Sequence, residues 1–313
     1  MAVYGNSIDL LRGLLGKPCN ALLEAYDDAQ LYGVKFSDST HQIWRLEGVN
    51  QAAVLKLADL PRLRQQPFWQ GAQTLFAWDL SADYSRLAGT YRFFAERAML
   101  SVPNLLACCV ADKGGKAVLL TDFVEGQTLD VQSVCAADCQ QLARYLVAMH
   151  QLEQQGIGGL GASNCLSLSE FQQRIVQFLH QSERLQSMET DEKAELVDCG
   201  LSVKPLSLVP MVLDLRWDQF VRNPEGNLVL LDLDAALSAP LEMDWLMLEV
   251  ILTASQIKIV ILEYKQRVSM PSRADLQQVR MLYRALFCGI GLLGDQDWNW
   301  WRSLPPILDE IID

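Results

Sequence analysis

The sequence is short of the residues from which metal cages are built: it has three histidines, and its eight cysteines include no Cys-x-x-Cys pair and no zinc-like spacing against those histidines. The cysteines (Cys19, Cys108, Cys109, Cys135, Cys139, Cys165, Cys199 and Cys288) read instead as buried free thiols. Clustered lysine and arginine are missing too. With 26 basic residues against 38 acidic ones and a formal net charge of −12, the chain offers no surface for neutralising a phosphate backbone, which excludes a nucleic-acid partner and leans towards a cationic small molecule. No apolar run is long enough to cross a bilayer, because the longest, Leu246 to Leu262, is interrupted by Glu249 and Lys258 and reads as a buried helix; no membrane partner is expected. The first residues, MAVYGNSIDLLRGLLGK, lack the charged start, apolar run and small-residue cleavage site of a secretory signal. Reduced thiols and no export signal make the cytoplasm the expected compartment. Internal repeats and low-complexity segments are likewise missing.

What is present is an ordinary globular composition. Half of the 313 residues are apolar and a fifth charged, enough to bury a large core in one two-lobed domain or two small ones. Leu10, Leu11, Leu14 and Leu15 have helical spacing and form a helical preamble. Strand-like segments follow at Gln30 to Phe36, Gln42 to Leu46, Ala52 to Leu57, Asn104 to Val110 and Ala117 to Asp122, with one helix from about Tyr84 to Leu100 among them. Ala58 to Gln70 is the least regular stretch and reads as a loop. After Gly126 the texture becomes amphipathic helices, around Ala136 to Leu152, Ser167 to Leu185, Thr190 to Val197, Pro240 to Leu252 and Ala274 to Leu293; only Leu206 to Leu213 and Leu228 to Leu231 look extended there. The fold class is therefore α+β, with a small antiparallel-sheet lobe over residues 1–125 and a larger, mainly helical lobe over residues 126–313.

The most informative segment is MVLDLRWDQFVRNPEGNLVLLDLDAALSAPLEMDWLMLEV. An apolar strand ends at Asp214, Asn223-Pro224-Glu225-Gly226-Asn227 makes a turn, and a second strand ends at Asp232, so two aspartates leave the ends of neighbouring strands. Phosphoryl transfer needs one carboxylate to orient the nucleophile's hydroxyl and another, with an amide, to hold Mg²⁺ against a triphosphate. Asp214 suits the first role; Asp232 and Gln219 suit the second. A single aspartate in such a place is more often a turn or cap residue.

Val212 to Gln219, Asp232-Leu233-Asp234 and Ala239 to Trp245 together resemble the catalytic region of the aminoglycoside phosphotransferase and choline kinase families, whose pattern runs His-Gly-Asp-Leu-x-x-x-Asn, a turn, an apolar strand and Asp-Trp/Phe-Glu. Ala117 to Leu129 resembles their hinge, and the helix Leu142 to His150 the one that ends in Leu-His behind the catalytic loop, with His150 structural. Ala53-Val54-Leu55-Lys56-Leu57 is similar to the strand whose lysine pairs with the nucleotide's phosphates, and Ser39 to Leu46 to the phosphate-covering turn and the strand after it. The resemblance implies a two-lobed protein-kinase-like fold, ATP and Mg²⁺, nucleotide contacts from Lys56, Ser39, Thr40, Asp122 and Val124, metal ligation by Asp232 and Gln219, and Asp214 as catalytic base.

Four positions depart from that pattern. Val212 replaces a histidine and Gln219 an asparagine; Asp38 stands in a turn that usually carries glycines; Thr90 occupies the place of the glutamate that pairs the lysine. A small-molecule kinase and a pseudokinase that only binds a nucleotide or partner are therefore both open. The Asp295 to Trp301 cluster reads as a C-terminal helix packing its tryptophans, in preference to an aromatic cage for a cation.

Overall fold

In the computed structural model, residues 7–15, 17–32, 41–110, 115–161 and 164–312 are described. The chain divides into two compact units, one made of Met1–Gln66, Leu80–Glu96 and Val102–Glu125, the other of Pro67–Asp79, Arg97–Ser101 and Gly126–Asp313.

The first unit begins with α1 (Ser7–Leu15) and α2 (Lys17–Asn20), followed by β1 (Asp28–Leu31), β2 (His41–Gly48), β3 (Gln51–Asp59) and α3 (Leu60–Gln65). Helix α4 (Pro67–Phe76) groups with the second unit. The first unit then resumes with α5 (Leu87–Arg97), β4 (Leu105–Val110) and β5 (Lys116–Asp122). Its strands form one antiparallel sheet in the order β1-β2-β3-β5-β4. Alternation along β3 sends Ala53, Leu55 and Leu57 into a core that Ile8, Leu11 and Leu15 of α1 cover from above, spaced three and four residues apart as one helix face requires. Each such fully buried leucine contributes about 1.5–3 kcal/mol.

The second unit adds β6 (Gln127–Thr128), α6 (Ala136–His150), β7 (Gly158–Gly159), α7 (Leu168–Gln181) and α8 (Thr190–Ser202). Next come β8 (Leu208–Val212), β9 (Phe220–Arg222), β10 (Leu228–Leu230) and β11 (Ala236–Pro240), then α9 (Leu241–Ile251), α10 (Ala254–Tyr264), α11 (Arg273–Ile290), α12 (Trp298–Ser303) and α13 (Ile307–Ile311). Its strands make two three-stranded sheets, β10-β9-β6 and β7-β11-β8. No helix among the described residues is long and apolar enough to cross a membrane.

Several expectations need correction. Ala58 to Gln70 holds two helices: Asp59 caps α3 by accepting from the Arg62 N–H, with Pro61 in the first turn, and Trp69, Ala72, Leu75 and Phe76 form the buried stripe of α4. The Leu246 to Leu262 tract is two helices, because Thr253 accepts from the Gln256 N–H and starts a new one. The expected helix from Tyr84 opens as a 3₁₀ turn over Tyr84–Arg86. The expected strand pair is part of two sheets, whose other strands went unread because β6, β7 and β9 are two or three residues long and β11 is buried throughout, so none shows period-two alternation. The first strand is Asp28–Leu31, and the rest of the expected segment, residues 33–36, lies outside the described residues. Three cysteines are buried as expected, but Cys135 and Cys165 are exposed. The C-terminal tryptophans do pack: Trp298 and Trp301 are buried in α12, and the Trp298 indole donates to Glu192 at 3.1 Å.

Candidate active site

The loop after β8 reads Asp214-Leu215-Arg216-Trp217-Asp218-Gln219. Leu215 and Trp217 are buried, while Asp214, Arg216 and Asp218 are half-buried between them, so three charged side chains share one face. The Arg216 guanidinium donates through one nitrogen to both Asp214 oxygens, at 2.7 and 2.9 Å, and through Nε to Asp218 at 3.1 Å. Gln219 closes a 3₁₀ turn and its side-chain nitrogen reaches Asp214 Oδ2 at 3.4 Å. Backbone bonds fix this loop to the one after β10: Leu213 donates to Ala235 at 3.0 Å, Leu231 to Gln219 at 2.8 Å, and Val212 pairs with Ala236. Asp232, in that second loop, accepts from the Asp234 N–H at 3.2 Å and lies near enough for its charge to act on Asp214.

Burial pushes the Asp214 carboxyl up to about 7; Arg216 opposes the rise, while the negative charges of Asp232 and Asp218 reinforce it. Burial also works against the charge of Arg216, but Asp214 and Asp218 outweigh it and raise its pKa. A carboxyl that titrates near neutrality beside a polar, anchored loop can accept a proton from a bound hydroxyl.

No group of three or more His, Cys, Asp or Glu side chains among the described residues is arranged to hold a metal unaided. The donors nevertheless suit a hard cation that shares its shell with phosphate oxygens. Gln219 Oε1 is buried and has no hydrogen-bond partner among the described residues, and Asp232 supplies carboxylate oxygen.

Behind the loop, His150 at the end of α6 is buried between Tyr264 Oη and Asp244 Oδ2, each 3.0 Å away. It is a packed structural group. Val212 is buried in β8 where a histidine was expected.

The first unit carries the remaining residues. Lys56 is half-buried in the middle of β3, on the face opposite Leu55 and Leu57. Thr90 is buried in α5 and Glu96 exposed, while Asp83 pairs with Arg86 at 2.5 Å. Asp122 is already engaged: its carboxylate accepts from the Asn104 N–H and side chain at 2.7 and 2.6 Å, and its own N–H donates to Asn104 at 3.0 Å. The next N–H, of Phe123, donates to Ala52 at 3.1 Å, and Val124 follows it, half-buried, beyond the end of β5. Ser39 and Thr40, and with them Asp38, lie outside the described residues.

Sequence reasoning missed Arg216 and Asp218, although the alternation Asp-Leu-Arg-Trp-Asp marks both. The model of the phosphotransferase enzyme family matches residues 36–248, more than half of the chain. The chain belongs to that family. Comparison with curated proteins gives no match. Among solved structures, macrolide 2'-phosphotransferase MphH from Brachybacterium faecium is similar at TM-score 0.60 and 11% identity, covering 89% of this chain and 92% of that one. Choline kinase LicA from Streptococcus pneumoniae is similar at TM-score 0.57 and 13% identity, covering 94% and 90%. The ADP-bound aminoglycoside phosphotransferase APH(2'')-Ib is similar at TM-score 0.60 and 10% identity, covering 98% and 99%. The fold of this member of the family is thus protein-kinase-like, an antiparallel-sheet unit and a helical unit.

Proposed function

We propose that this chain transfers the γ-phosphoryl group of ATP to a hydroxyl of a small molecule, with Asp214 as the base. The observation that carries this reading is the Asp214 carboxyl itself, raised to about 7 on a loop stitched by backbone bonds to the Asp232 loop. Asp214 orients the acceptor hydroxyl and takes its proton, while Arg216 balances the charge that builds there. Gln219 and Asp232 would hold Mg²⁺, which when bound draws negative charge from the phosphates. Lys56 binds phosphate oxygens, the Val124 backbone takes the adenine edge, and Ser39 and Thr40 cover the phosphates. The ADP carried by APH(2'')-Ib supports a nucleotide as phosphate donor, and a carboxylate-rich loop favours a cationic acceptor over an anionic one. An ATP-consuming reaction of this kind belongs in the cytoplasm.

A second reading has its own observation. Arg216 occupies both oxygens of Asp214, which in a pseudokinase would be a permanent lock. A metabolite screen that follows ATP consumption separates the two readings: turnover with any small alcohol, lost in Asp214→Asn while Mg-ATP binding persists, supports the kinase. Unchanged turnover in Asp214→Asn would remove Asp214 from the chemistry.

A further inference from the structure

Two thiols far from Asp214 in sequence stand very close to each other. Cys19, in α2, is buried in the core of the first unit, and Cys109, on the edge strand β4, packs half-buried against the same core. Their sulfurs are 2.6 Å apart although the residues are 90 positions apart in sequence. Even carbon atoms, which are smaller, touch at about 3.5–4.0 Å, and a covalent S–S bond is about 2.05 Å long. Packing, and not chain neighbourhood, brings these sulfurs together. The adjacent Cys108 is differently employed, its thiol donating to the Tyr84 carbonyl at 3.5 Å.

We propose that Cys19 and Cys109 form an oxidation site, a thiol pair that converts to a disulfide and fastens the N-terminal helical segment to the outer strand of the sheet. The oxidant is a small-molecule disulfide of the glutathione class. Cys109, the more exposed sulfur, loses its proton to solvent and attacks that disulfide; the oxidant's S–S bond breaks, one thiolate leaves and takes up a proton, and a mixed disulfide remains on Cys109. Cys19 then attacks the Cys109 sulfur, and its proton goes to the second departing thiolate. The protein gives up two hydrogens, and the oxidant becomes two thiols. Burial, and then the hydrogen bond with Cys19, push the Cys109 thiol up to about 12, so thiolate is scarce and the first exchange is slow. The linked elements already share a core: α1 and α2 contribute Ile8, Leu11, Leu15 and Cys19 to the cluster against which Cys109 packs.

The test uses the unmodified full chain. It is incubated with oxidised glutathione, free thiols are alkylated, and linked peptides are mapped by mass spectrometry. The expected result is a peptide pair in which Cys19 is joined to Cys109, whatever glutathione adducts the exposed Cys135 and Cys165 carry, and the same link in Cys108→Ser. Full alkylation, a glutathione adduct that stays on Cys109, or a link through Cys108 would each overturn the proposal.

Discussion

A carboxyl whose side chain is only 25% exposed resists ionising, and at Asp214 that resistance places its titration near neutrality. An unfolded aspartate titrates at about 3.9. The folded group lies above that value, so its contribution to stability is complete below the unfolded pKa and is lost as pH rises through about 7. Asp214→Asn cannot ionise and escapes the loss: its Tm relative to the parent should climb between pH 5 and pH 8 while turnover vanishes, and a Tm difference that does not change with pH would show that the carboxyl is not raised. In the parent, kcat/KM for the acceptor should fall about tenfold per unit below pH 7. Arg216→Ala removes the cation that favours the ionised form, so this limb should move to higher pH; a limb that stays in place would detach Arg216 from the base. The sequence singles out Asp214, Gln219 and Asp232 by their spacing after apolar strands and a turn, and backbone bonds join the two loops that carry them. The pairing of Arg216 with Asp214 and Asp218 was not legible there, since spacing does not say which nearby carboxylates a guanidinium takes.

Elements were legible where one period dominated. The sheet of the first unit shows alternation, and α11 an unbroken helical stripe ending at Gly291. The loop expected over residues 58–70 failed because its two helices, six and ten residues long, take their order from capping and from burial of Trp69 and Leu75, which a short window does not reveal. The helix expected over Pro240 to Leu252 is there as α9, although nine of its eleven residues are buried. In α9, Glu249 is fully buried and accepts from Arg280 at 3.0 Å, Arg284 at 2.9 Å and the Leu308 N–H at 3.0 Å, binding α9, α11 and α13 together. Glu249→Gln leaves Arg284 buried without its counter-charge and should cost about 3–5 kcal/mol in urea unfolding. A loss below about 1 kcal/mol would mean that this cluster relaxes freely. Gly126 opens the second unit at φ +148°, and a Cβ there would meet the Arg222 carbonyl oxygen at 2.3 Å. Gly126→Ala should therefore destabilise by about 1–3 kcal/mol, read as a lowered Tm.

For the whole molecule the governing quantity is charge. A net charge of −12 repels a free triphosphate over distances comparable to the Debye length, about 8 Å at physiological ionic strength. Asp214, Asp218 and Asp232 add to that repulsion locally, with Arg216 already committed to two of them. A nucleotide that arrives with a divalent cation presents less negative charge and gives the Gln219 Oε1 atom, buried with no hydrogen-bond partner among the described residues, something to ligate. Nucleotide binding should therefore depend on metal: ATP with EDTA should leave the Tm nearly unchanged, while ATP with Mg²⁺ or Mn²⁺ raises it. At a ligand concentration of 100 times Kd the gain is about 2.7 kcal/mol. Gln219→Ala should remove the metal-dependent part of the shift and keep the unfolding profile of the parent, because among the described residues this side chain makes one long hydrogen bond, at 3.4 Å. Equal shifts with EDTA and with Mg²⁺ would assign the nucleotide to a metal-free site. No shift under any metal condition would favour the pseudokinase, with Arg216 closing a site that no longer needs to open.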